Sequence, residues 1–366
     1  MRAAILQRDP VRIEMDEVVI PRPGAGEVRL RVAGCGACHS DLHKIEGHFG
    51  VEPPFVFGHE VSGIVDAVGE GVEGFASGDA VVCSFLVPCG VCRECVAGRD
   101  DNCLAFRAHM QGDGLGYAGQ PRAFWPDGET LRVTGVGGFA EYAVVPVAGV
   151  FHLPDGVSVM DAAVLGCAGI TGFGAVHRGA QLQPGEHAVV IAAGGVGLCV
   201  IAAAAYAGAA TLIAADVRDE PLELARTFGA TAVVNSRQDD LVAAVLAATD
   251  GAGADVVFDT VGTPGTVRQA IAATRIGGRV VVTGLASEEL PIPMTDVVRR
   301  RIRIVGSYAA VTRQDMPRLL EVVAAGRLDP TALISMRRPL DAIDECFTAL
   351  QRGEVTGRAL VEVAAG

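Results

Sequence analysis

The sequence is poor in aromatic residues and has no excess of basic charge. Aromatic side chains make up 5% of the 366 residues, whereas glycine and small aliphatic residues are abundant. That composition favours an α/β protein with tightly packed parallel strands over a β-sandwich. Forty-three acidic and thirty basic residues give a net charge of −13, which repels nucleic-acid phosphates and anionic lipid head groups. We therefore expect a small-molecule substrate, and neither a nucleic-acid nor a membrane partner.

The sequence also shows neither an export signal nor a membrane span. The N-terminal MRAAILQRDPVRIEMDE indicates a short strand interrupted by charges and Pro10, without the apolar core of a signal peptide. Residues 188–215 carry no charge, but the glycines at 194–197 and Gly208 divide them into strand, turn, helix and strand. We expect a cytoplasmic protein, in which ten cysteines serve metal or redox chemistry rather than disulfides.

The hydrophobic pattern changes along the chain. Short strand-like runs dominate to about residue 150, whereas from about 185 the apolar strands HAVVIAA, TLIAAD, DVVFDT and GRVVVTG alternate with helical stretches, which predicts a parallel sheet. The closing RALVEV is a strand that can rejoin the first domain. We predict a first domain of residues 1–165 completed by 310–366, and a second domain of 166–309. The segment 106–138, rich in glycine, proline and charge, is interpreted as a long surface excursion.

Four cysteines are concentrated within fifteen residues. They form a Cys-x2-Cys-x2-Cys-x7-Cys pattern of Cys89, Cys92, Cys95 and Cys103. A loop of that span can hold four thiolates at the ~2.3 Å distance of a tetrahedral zinc, and four protein ligands leave no open position. The pattern predicts a structural zinc in a lobe at about 84–105. An iron–sulfur cluster and ordinary buried cysteines are the alternatives, and the spacing is not of the ferredoxin type.

A second set of metal-ligand residues is dispersed. Cys38 lies in GCGACHSDLH, the pair His59 and Glu60 in FGHEVSGIV, and Cys167 in LGCAGITGFG. Taken singly, Cys38 and Cys167 have an alternative as small core residues, and His59 as a hydrogen-bonded histidine in a turn. Together they match a Cys2His zinc site with one open position, and soft thiolates favour zinc over magnesium or calcium.

A glycine turn follows the strand HAVVIAA. Its residues are Gly194, Gly195, Val196 and Gly197. Such a turn lets a pyrophosphate approach the amides at a helix N-terminus. Ala192 replaces the first glycine of G-x-G-x-x-G, so we expect its backbone torsions to stay in a region allowed to L-residues. Asp216, nineteen residues after Gly197, suits a ribose contact that favours NAD over NADP, whereas Arg218 offers a partner for a 2′-phosphate.

These motifs together resemble the zinc-containing alcohol dehydrogenases of the medium-chain dehydrogenase/reductase superfamily. The resemblance includes GHEVSGIVDAVGEGVEGFASGDAVV and runs from the first strand to near the C-terminus. It implies an α/β fold: a Rossmann-type parallel-sheet cofactor domain plus a β-rich, GroES-like catalytic domain with a zinc lobe. It also implies two zinc ions per chain and hydride transfer between an alcohol carbon and NAD, with an aldehyde or ketone as the other partner. A homo-dimer or homo-tetramer is implied through cofactor-domain edge strands near LPIPMTDVV and RIRIVGSY.

The resemblance also assigns roles to catalytic residues. Cys38, His59 and Cys167 match the catalytic-zinc ligands, with Glu60 close behind. Asp41 matches the carboxylate that orients the ligand histidine. The proton relay is implied at Ser40 and His43, since a hydroxyl and a histidine suit proton exchange near neutral pH. A helix N-cap is the alternative for Ser40, and a surface histidine for His43.

Further residues are implied for the cofactor. Thr171 and Val196 match residues that pack against the nicotinamide ring, with helix capping and core filling as alternatives. His39 stands where some relatives place an arginine near the pyrophosphate, and Arg358 is assigned the same neighbourhood.

Two other functions remain open at this point. One is an aldehyde-specialised relative, such as a dehydrogenase of the thiol adduct of formaldehyde. The other is a non-catalytic, zinc-stabilised NAD-binding protein, for which loss of Cys38, His59, Cys167 or the relay would be the mark. All of these residues are present. The residues that select the substrate are not predicted.

Overall fold

The strands of the protein fall into three sheets. The computed structural model describes residues 1–48, 52–286 and 288–363. Within these residues the strands are β1 (Arg2–Gln7), β2 (Arg12–Glu17), β3 (Glu27–Ala37), β4 (Phe55–Val56), β5 (Glu60–Val68), β6 (Ala80–Cys83), β7 (Ala123–Phe124), β8 (Thr130–Val133), β9 (Tyr142–Pro146), β10 (Val150–His152), β11 (His187–Ile191), β12 (Thr211–Asp216), β13 (Ala232–Asn235), β14 (Ala254–Asp259), β15 (Thr274–Val282), β16 (Arg303–Gly306), β17 (Ile334–Pro339) and β18 (Arg358–Glu362).

The helices of the described residues are mostly short. They are α1 (His39–Ile45), α2 (Arg93–Val96), α3 (Leu104–Ala108), α4 (Ala168–Gly174), α5 (Gly195–Tyr206), α6 (Asp219–Thr227), α7 (Leu241–Ala248), α8 (Pro264–Ala273), α9 (Met294–Arg300), α10 (Thr312–Ala324) and α11 (Ile343–Gln351). The uncharged stretch 188–215 is divided among β11, α5 and β12, as predicted. None of these helices is both long and apolar enough to cross a bilayer.

The chain separates into two units. One, the β-rich unit, comprises Met1–Cys167, Val311–Ala324 and Asp329–Gly366, and the other, the parallel-sheet unit, comprises Ala168–Ala310 and Ala325–Leu328. Within the β-rich unit, the C-terminal strand β18 pairs antiparallel with β3, with Ala359 opposite Ala37.

The parallel-sheet unit has the predicted Rossmann topology. Its six strands are ordered β13-β12-β11-β14-β15-β16, and all neighbouring strands run parallel. Numbered within the unit this is the order 3-2-1-4-5-6, in which a dinucleotide binds where the strand order reverses. The strands are apolar almost throughout, with Val189, Ile213 and Val257 at most 2% exposed, because helices cover a parallel sheet.

The β-rich unit contains the other two sheets. One has the order β10-β6-β5-β3-β18-β17 with β9 also paired to β3, and the other has the order β2-β1-β4-β8-β7. Strand β3 extends as far as Ala37, because its later residues Gly34, Cys35 and Gly36 pair with β5. The predicted fold class, a Rossmann-type sheet plus a β-rich domain, is confirmed.

The interpretation of residues 106–138 as a surface excursion is wrong. The segment contains β7 and β8, and β8 pairs parallel with β4. Phe106, Met110 and Leu131 are at most 3% exposed. Phe106 and Met110 stand singly among small and polar residues, and the alternation of Leu131 and Val133 in β8 covers only four residues, so no long hydrophobic period indicates the burial of this segment.

Candidate active site

One end of the seven-stranded sheet gathers the dispersed ligand residues. Cys38 directly follows β3, and His59 directly precedes β5, where Gly36 pairs with Glu60. Cys167 follows a 3₁₀ segment ending at Gly166, at which a Cβ atom would lie 2.1 Å from the Cys83 carbonyl oxygen. Glycine therefore allows the close approach that brings Cys167 to the sheet.

The ligand atoms of this site lie close together. One ligand atom from each of four buried residues lies within 4.8 Å of the others, the residues being Cys38, His59, Glu60 and Cys167. Two sulfurs, an imidazole nitrogen and a carboxylate oxygen suit zinc. The hydrogen bond with Cys167 holds the pKa of Cys38 well below its usual value, so the pair already favours one thiolate. The donor set therefore fits a divalent zinc ion.

Asp41 fixes the imidazole of His59. Its Oδ1 lies 3.1 Å from His59 Nδ1, and the carboxylate, on α1, is fully buried. Burial lowers the pKa of His59, but the charge and hydrogen bond of Asp41 outweigh it and raise the pKa to about 10. A proton held on Nδ1 leaves Nε2 as the metal-binding nitrogen.

Glu60 and Arg358 form a buried ion pair behind the thiol of Cys38. Arg358 Nη2 lies 3.4 Å from Glu60 Oε1, and Nη1 donates to Cys38 Sγ over 3.7 Å. Burial raises the pKa of Glu60 to about 7, although Arg358 opposes the rise. A Cβ atom at Gly36 would lie 2.1 Å from Glu60 Oε2, so only glycine admits the carboxylate. Arg358, predicted at the pyrophosphate, is 3% exposed and its guanidinium lies in the metal cluster.

The residues predicted for proton transfer lie on α1. Ser40 Oγ is 3.5 Å from Cys38 Sγ. Cys38 rather than Ser40 occupies the N-cap position, so the capping alternative for Ser40 is not observed. His43, three residues on, is half-buried, and His39 is exposed at the first helical position.

The four-cysteine lobe has its sulfurs within 4.8 Å of one another. Backbone amides stabilise them: Cys92 donates to Cys89 Sγ over 3.3 Å, and Cys89 and Phe106 donate to Cys103 Sγ over 3.3 and 3.4 Å. A hydrogen bond from the Cys95 amide lowers the pKa of Cys92 to about 6, whereas burial raises that of Cys95. Four converging sulfurs fit a closed zinc site. All ten cysteines, each among the described residues, are free of disulfides.

An ion pair that the sequence did not predict connects the lobe to Arg313 on α10. Asp100 is fully buried, and Arg313 Nη2 donates to it over 2.6 Å and to the Cys95 carbonyl over 2.8 Å. The two residues are 213 positions apart. No sequence pattern links an arginine at that distance with the lobe, so only the fold reveals the pair.

The glycine turn of the parallel-sheet unit joins β11 to α5. A Cβ atom at Gly197 would lie 1.9 Å from the Ala192 carbonyl oxygen, so glycine is required there. Contrary to the torsions expected for an ordinary L-residue, Ala192 has a φ of +69°, in the small left-handed region where glycine is favoured. Asp216, at the end of β12, accepts a 2.8 Å hydrogen bond from the Ala193 amide. A glycine turn beside a carboxylate fits a nicotinamide dinucleotide.

The other residues predicted for the cofactor occupy two positions in this unit. Thr171 lies on α4 and is 9% exposed, and Val196 lies half-buried in the first turn of α5. The Arg218 amide donates to Asp216 Oδ1 over 3.1 Å.

Two family models match the chain. Residues 24–155 match an alcohol dehydrogenase GroES-like domain, and residues 195–325 match a zinc-binding dehydrogenase domain. An alcohol dehydrogenase of Geobacillus stearothermophilus is 32% identical and covers 99% of this chain and 100% of the relative. An S-(hydroxymethyl)glutathione dehydrogenase of Candida maltosa is also 32% identical, over 99% of this chain and 97% of the relative.

Solved structures show the same likeness. The benzyl alcohol dehydrogenase of Acinetobacter calcoaceticus has a TM-score of 0.91 at 28% identity, covering 99% of each chain. The acetophenone reductase of Geotrichum candidum in complex with NAD has a TM-score of 0.82 at 28% identity, covering 99% of this chain and 97% of the other. The chain belongs to the zinc-dependent alcohol dehydrogenases of the medium-chain dehydrogenase/reductase superfamily, enzymes that use zinc and NAD to interconvert an alcohol with its aldehyde or ketone.

Proposed function

We propose that the reaction takes place at the end of the seven-stranded sheet, with Cys38, His59 and Cys167 as the protein ligands of the catalytic zinc. The convergence of their ligand atoms within 4.8 Å is the observation that carries this assignment. When bound, zinc acts as a Lewis acid on the alcohol oxygen and lowers its pKa towards neutrality. The second zinc is proposed in the lobe, held by Cys89, Cys92, Cys95 and Cys103.

The residues around the ligands maintain the site. Asp41 keeps a proton on His59 Nδ1 and so directs Nε2 to the metal position. Arg358 balances the charge of Glu60 and donates to Cys38. Both carboxylate oxygens of Glu60 lack a hydrogen-bond partner within the described residues, and one lies in the ligand cluster, which supports a role in ligand exchange.

The alcohol proton is proposed to leave along α1. Ser40 Oγ, beside Cys38 Sγ, accepts the alcohol proton while its own hydroxyl proton passes on towards His43, one helical turn further, which releases a proton to solvent. NAD accepts the hydride when bound, as its nicotinamide ring supplies the redox chemistry.

The division of labour between the units is part of the proposal. Residues 1–165 and 310–366 form the catalytic domain and 166–309 the dinucleotide-binding domain. Residues of the glycine turn contact the pyrophosphate: Gly194, Gly195, Val196 and Gly197. Asp216 accepts a hydrogen bond from the adenosine ribose. Arg218, as a partner for a 2′-phosphate, determines how strictly NADP is excluded. Thr171 and Val196 pack on the nicotinamide, and His39 assists at the pyrophosphate, whereas the buried Arg358 stays with Glu60 and Cys38.

A second candidate substrate class is a thiol adduct of formaldehyde. It is favoured by the relative named S-(hydroxymethyl)glutathione dehydrogenase, which matches this chain almost end to end. Both candidates use the same ligands and cofactor, so they differ only in the substrate.

The enzyme is proposed to be a homo-dimer or homo-tetramer. Within the described residues β16 pairs with β15 alone, which leaves the other edge of β16 open. On the adjacent α9 no residue is buried, and Met294 and Val298 are 57% and 66% exposed. An open edge strand beside exposed apolar residues suits pairing with a second copy. We propose a cytoplasmic location because ten free cysteines suit a reducing compartment.

Metal analysis combined with cofactor turnover tests the function. We expect two zinc ions per chain, and a change of NADH absorbance with simple primary, secondary and benzylic alcohols. The thiol adduct of formaldehyde forms the second arm, and turnover of that adduct far above the alcohols would select the second candidate. One zinc ion and no turnover with either class would refute the proposal.

A further inference from the structure

Lys44 is the only lysine in a chain with thirty basic residues. It lies on α1, three residues after Asp41, and its side chain is 15% exposed. Its ammonium Nζ donates to Thr134 Oγ1 over 3.2 Å and lies 3.9 Å from Asp41 Oδ1. All other basic residues of the chain are arginines. The one lysine ammonium group is directed towards Thr134 and Asp41, which suggests a specific role there.

The neighbouring carboxylate needs a positive charge. Asp41 is fully buried, and its Oδ2 has no hydrogen-bond partner in the described part of the chain. Its Oδ1 is bonded to His59 Nδ1, and Lys44 approaches the same oxygen. A buried carboxylate with so few partners is costly unless a cation compensates it. Lys44, 3.9 Å from Asp41 Oδ1, supplies that charge.

The acceptor of Lys44 is itself held in place. Thr134 is 1% exposed, and its amide donates to the Val56 carbonyl over 2.9 Å. The carbonyls on either side of it, of Val133 and Gly135, both accept from Arg122 Nη2, over 2.5 and 2.7 Å. The Thr134 hydroxyl therefore has a fixed position, and it fixes the ammonium in turn.

The same segment lies against the histidine. A Cβ atom at Gly135 would lie 3.1 Å from the Cβ atom of His59, so the backbone of this segment packs directly on the side chain. Gly135 thus packs on His59, while the adjacent Thr134 holds the lysine that lies beside Asp41.

We propose that Lys44 is a positioning residue for the imidazole of His59, acting through Asp41 and anchored by Thr134. The ammonium, as a compact point charge, attracts the Asp41 carboxylate and holds it aimed at His59 Nδ1. This inference rests on the proposed role of His59 as a ligand of the catalytic zinc.

Chelator competition on the zinc-loaded enzyme tests the proposal, with the lobe zinc as internal reference. Lys44→Met removes the charge, and we expect the affinity for the catalytic zinc to fall about tenfold, the low end of the range for residues supporting a ligand. Lys44→Arg retains a positive charge and should recover most of that loss. Thr134→Val removes only the anchor and should cost about threefold, while Thr134→Ser should match the wild type. Unchanged affinity in Lys44→Met, or equal weakening of both zinc ions, would overturn the proposal.

The single lysine also permits a direct spectroscopic test on the wild-type protein. Labelling with ¹⁵N-lysine gives one side-chain ammonium signal, which Lys44→Arg identifies by its disappearance. We expect slow proton exchange at this ammonium, and a changed chemical shift in Thr134→Val. A signal with the exchange of free lysine would contradict the proposal even if Lys44→Met does not fold.

His59→Ala separates this inference from the function on which it rests. If His59→Ala keeps both zinc ions, the ligand assignment itself fails. If His59→Ala loses one zinc ion while Lys44→Met binds both as tightly as the wild type, the assignment stands and the role of Lys44 fails.

Discussion

The two four-residue clusters of this enzyme use similar ligands in different surroundings. In the lobe, four cysteines come from one fifteen-residue stretch, and Cys89 and Cys92 are half-buried. In the active site, Cys38, His59, Glu60 and Cys167 are all buried and lie on segments up to 129 positions apart (167 − 38). The lobe can organise its own sulfurs through local amides, whereas the active site exists only when the sheet has formed.

This difference follows the two uses of zinc. Four thiolates complete a tetrahedron and leave no place for substrate, so the lobe contributes stability. The dispersed cluster offers two sulfurs and one imidazole, with a carboxylate paired to Arg358 rather than committed to the metal position. An open position is what catalysis requires. Substitutions in each cluster should therefore separate activity from stability.

The largest effect is expected from His59→Ala. Loss of a ligand removes several kcal/mol of charge stabilisation from the reaction, so kcat/KM should fall roughly a thousandfold or more. One zinc ion per chain should remain, in the lobe. Metal analysis measures the zinc content, and NADH absorbance measures kcat/KM.

His152→Ala is the matched control for this variant. His152 lies in the same unit with its side chain 52% exposed, away from the ligand cluster. It should keep two zinc ions and full activity. Retention of two zinc ions in His59→Ala would remove the contrast between the clusters.

The converse substitution, Cys95→Ala, should act on stability. Cys95 is 2% exposed and its carbonyl accepts from Arg313, so losing the lobe zinc also loosens that contact. We expect about 3 kcal/mol of destabilisation, seen as a lower unfolding midpoint, with one zinc ion lost. The folded fraction should retain most of its kcat. A fall in kcat as steep as in His59→Ala, at unchanged stability, would give the lobe a catalytic role.

Ser40→Ala tests whether the hydroxyl beside Cys38 takes part in the reaction at the dispersed site, in addition to the metal ligands. Proton transfer by a positioned group contributes about a hundredfold or more, so the rate should fall by roughly that factor while both zinc ions stay bound. Ser40→Thr keeps the hydroxyl and should retain most of the rate. An unchanged rate in Ser40→Ala would rule out the relay.

The fold was predictable where sequence periodicity is strong. The strands of the parallel sheet are short apolar runs between helices, and each of them lies close to its expected position. Residues 106–138 were misinterpreted by the same reasoning, because Phe106 and Met110 are buried singly and the alternation in β8 covers only four residues. Burial there comes from β8 pairing with β4, a contact between segments distant in sequence.

The candidate site divides in the same way. The spacing of the four cysteines was sufficient to predict that they converge, whereas Cys38, His59 and Cys167 were brought together only through family resemblance. Lys44, Arg122 and Arg313 were not predicted at all, since a single basic residue far from its partner leaves no pattern. The contact of Lys44 with Asp41 and that of Arg313 with Asp100 become visible only in the folded chain.

The smallest predicted effect concerns the glycine turn, a third motif of local origin. Ala192 has a φ of +69°, and its backbone is held there by the hydrogen bond of its amide to the Ala215 carbonyl and by Thr260 Oγ1, which donates to its carbonyl. A left-handed torsion costs an L-residue about 1–2 kcal/mol, whereas glycine adds about 0.5–1 kcal/mol of backbone entropy to be lost on folding. Ala192→Gly should therefore stabilise the protein by about 0.5 kcal/mol and raise its urea midpoint slightly.

Ala193→Gly is the matched control: Ala193 is fully buried, so losing its methyl group should lower the midpoint. Opposite shifts from adjacent alanines would show that the turn imposes glycine's torsion on a residue that is not glycine, whereas equal shifts would show that Ala192 carries no strain.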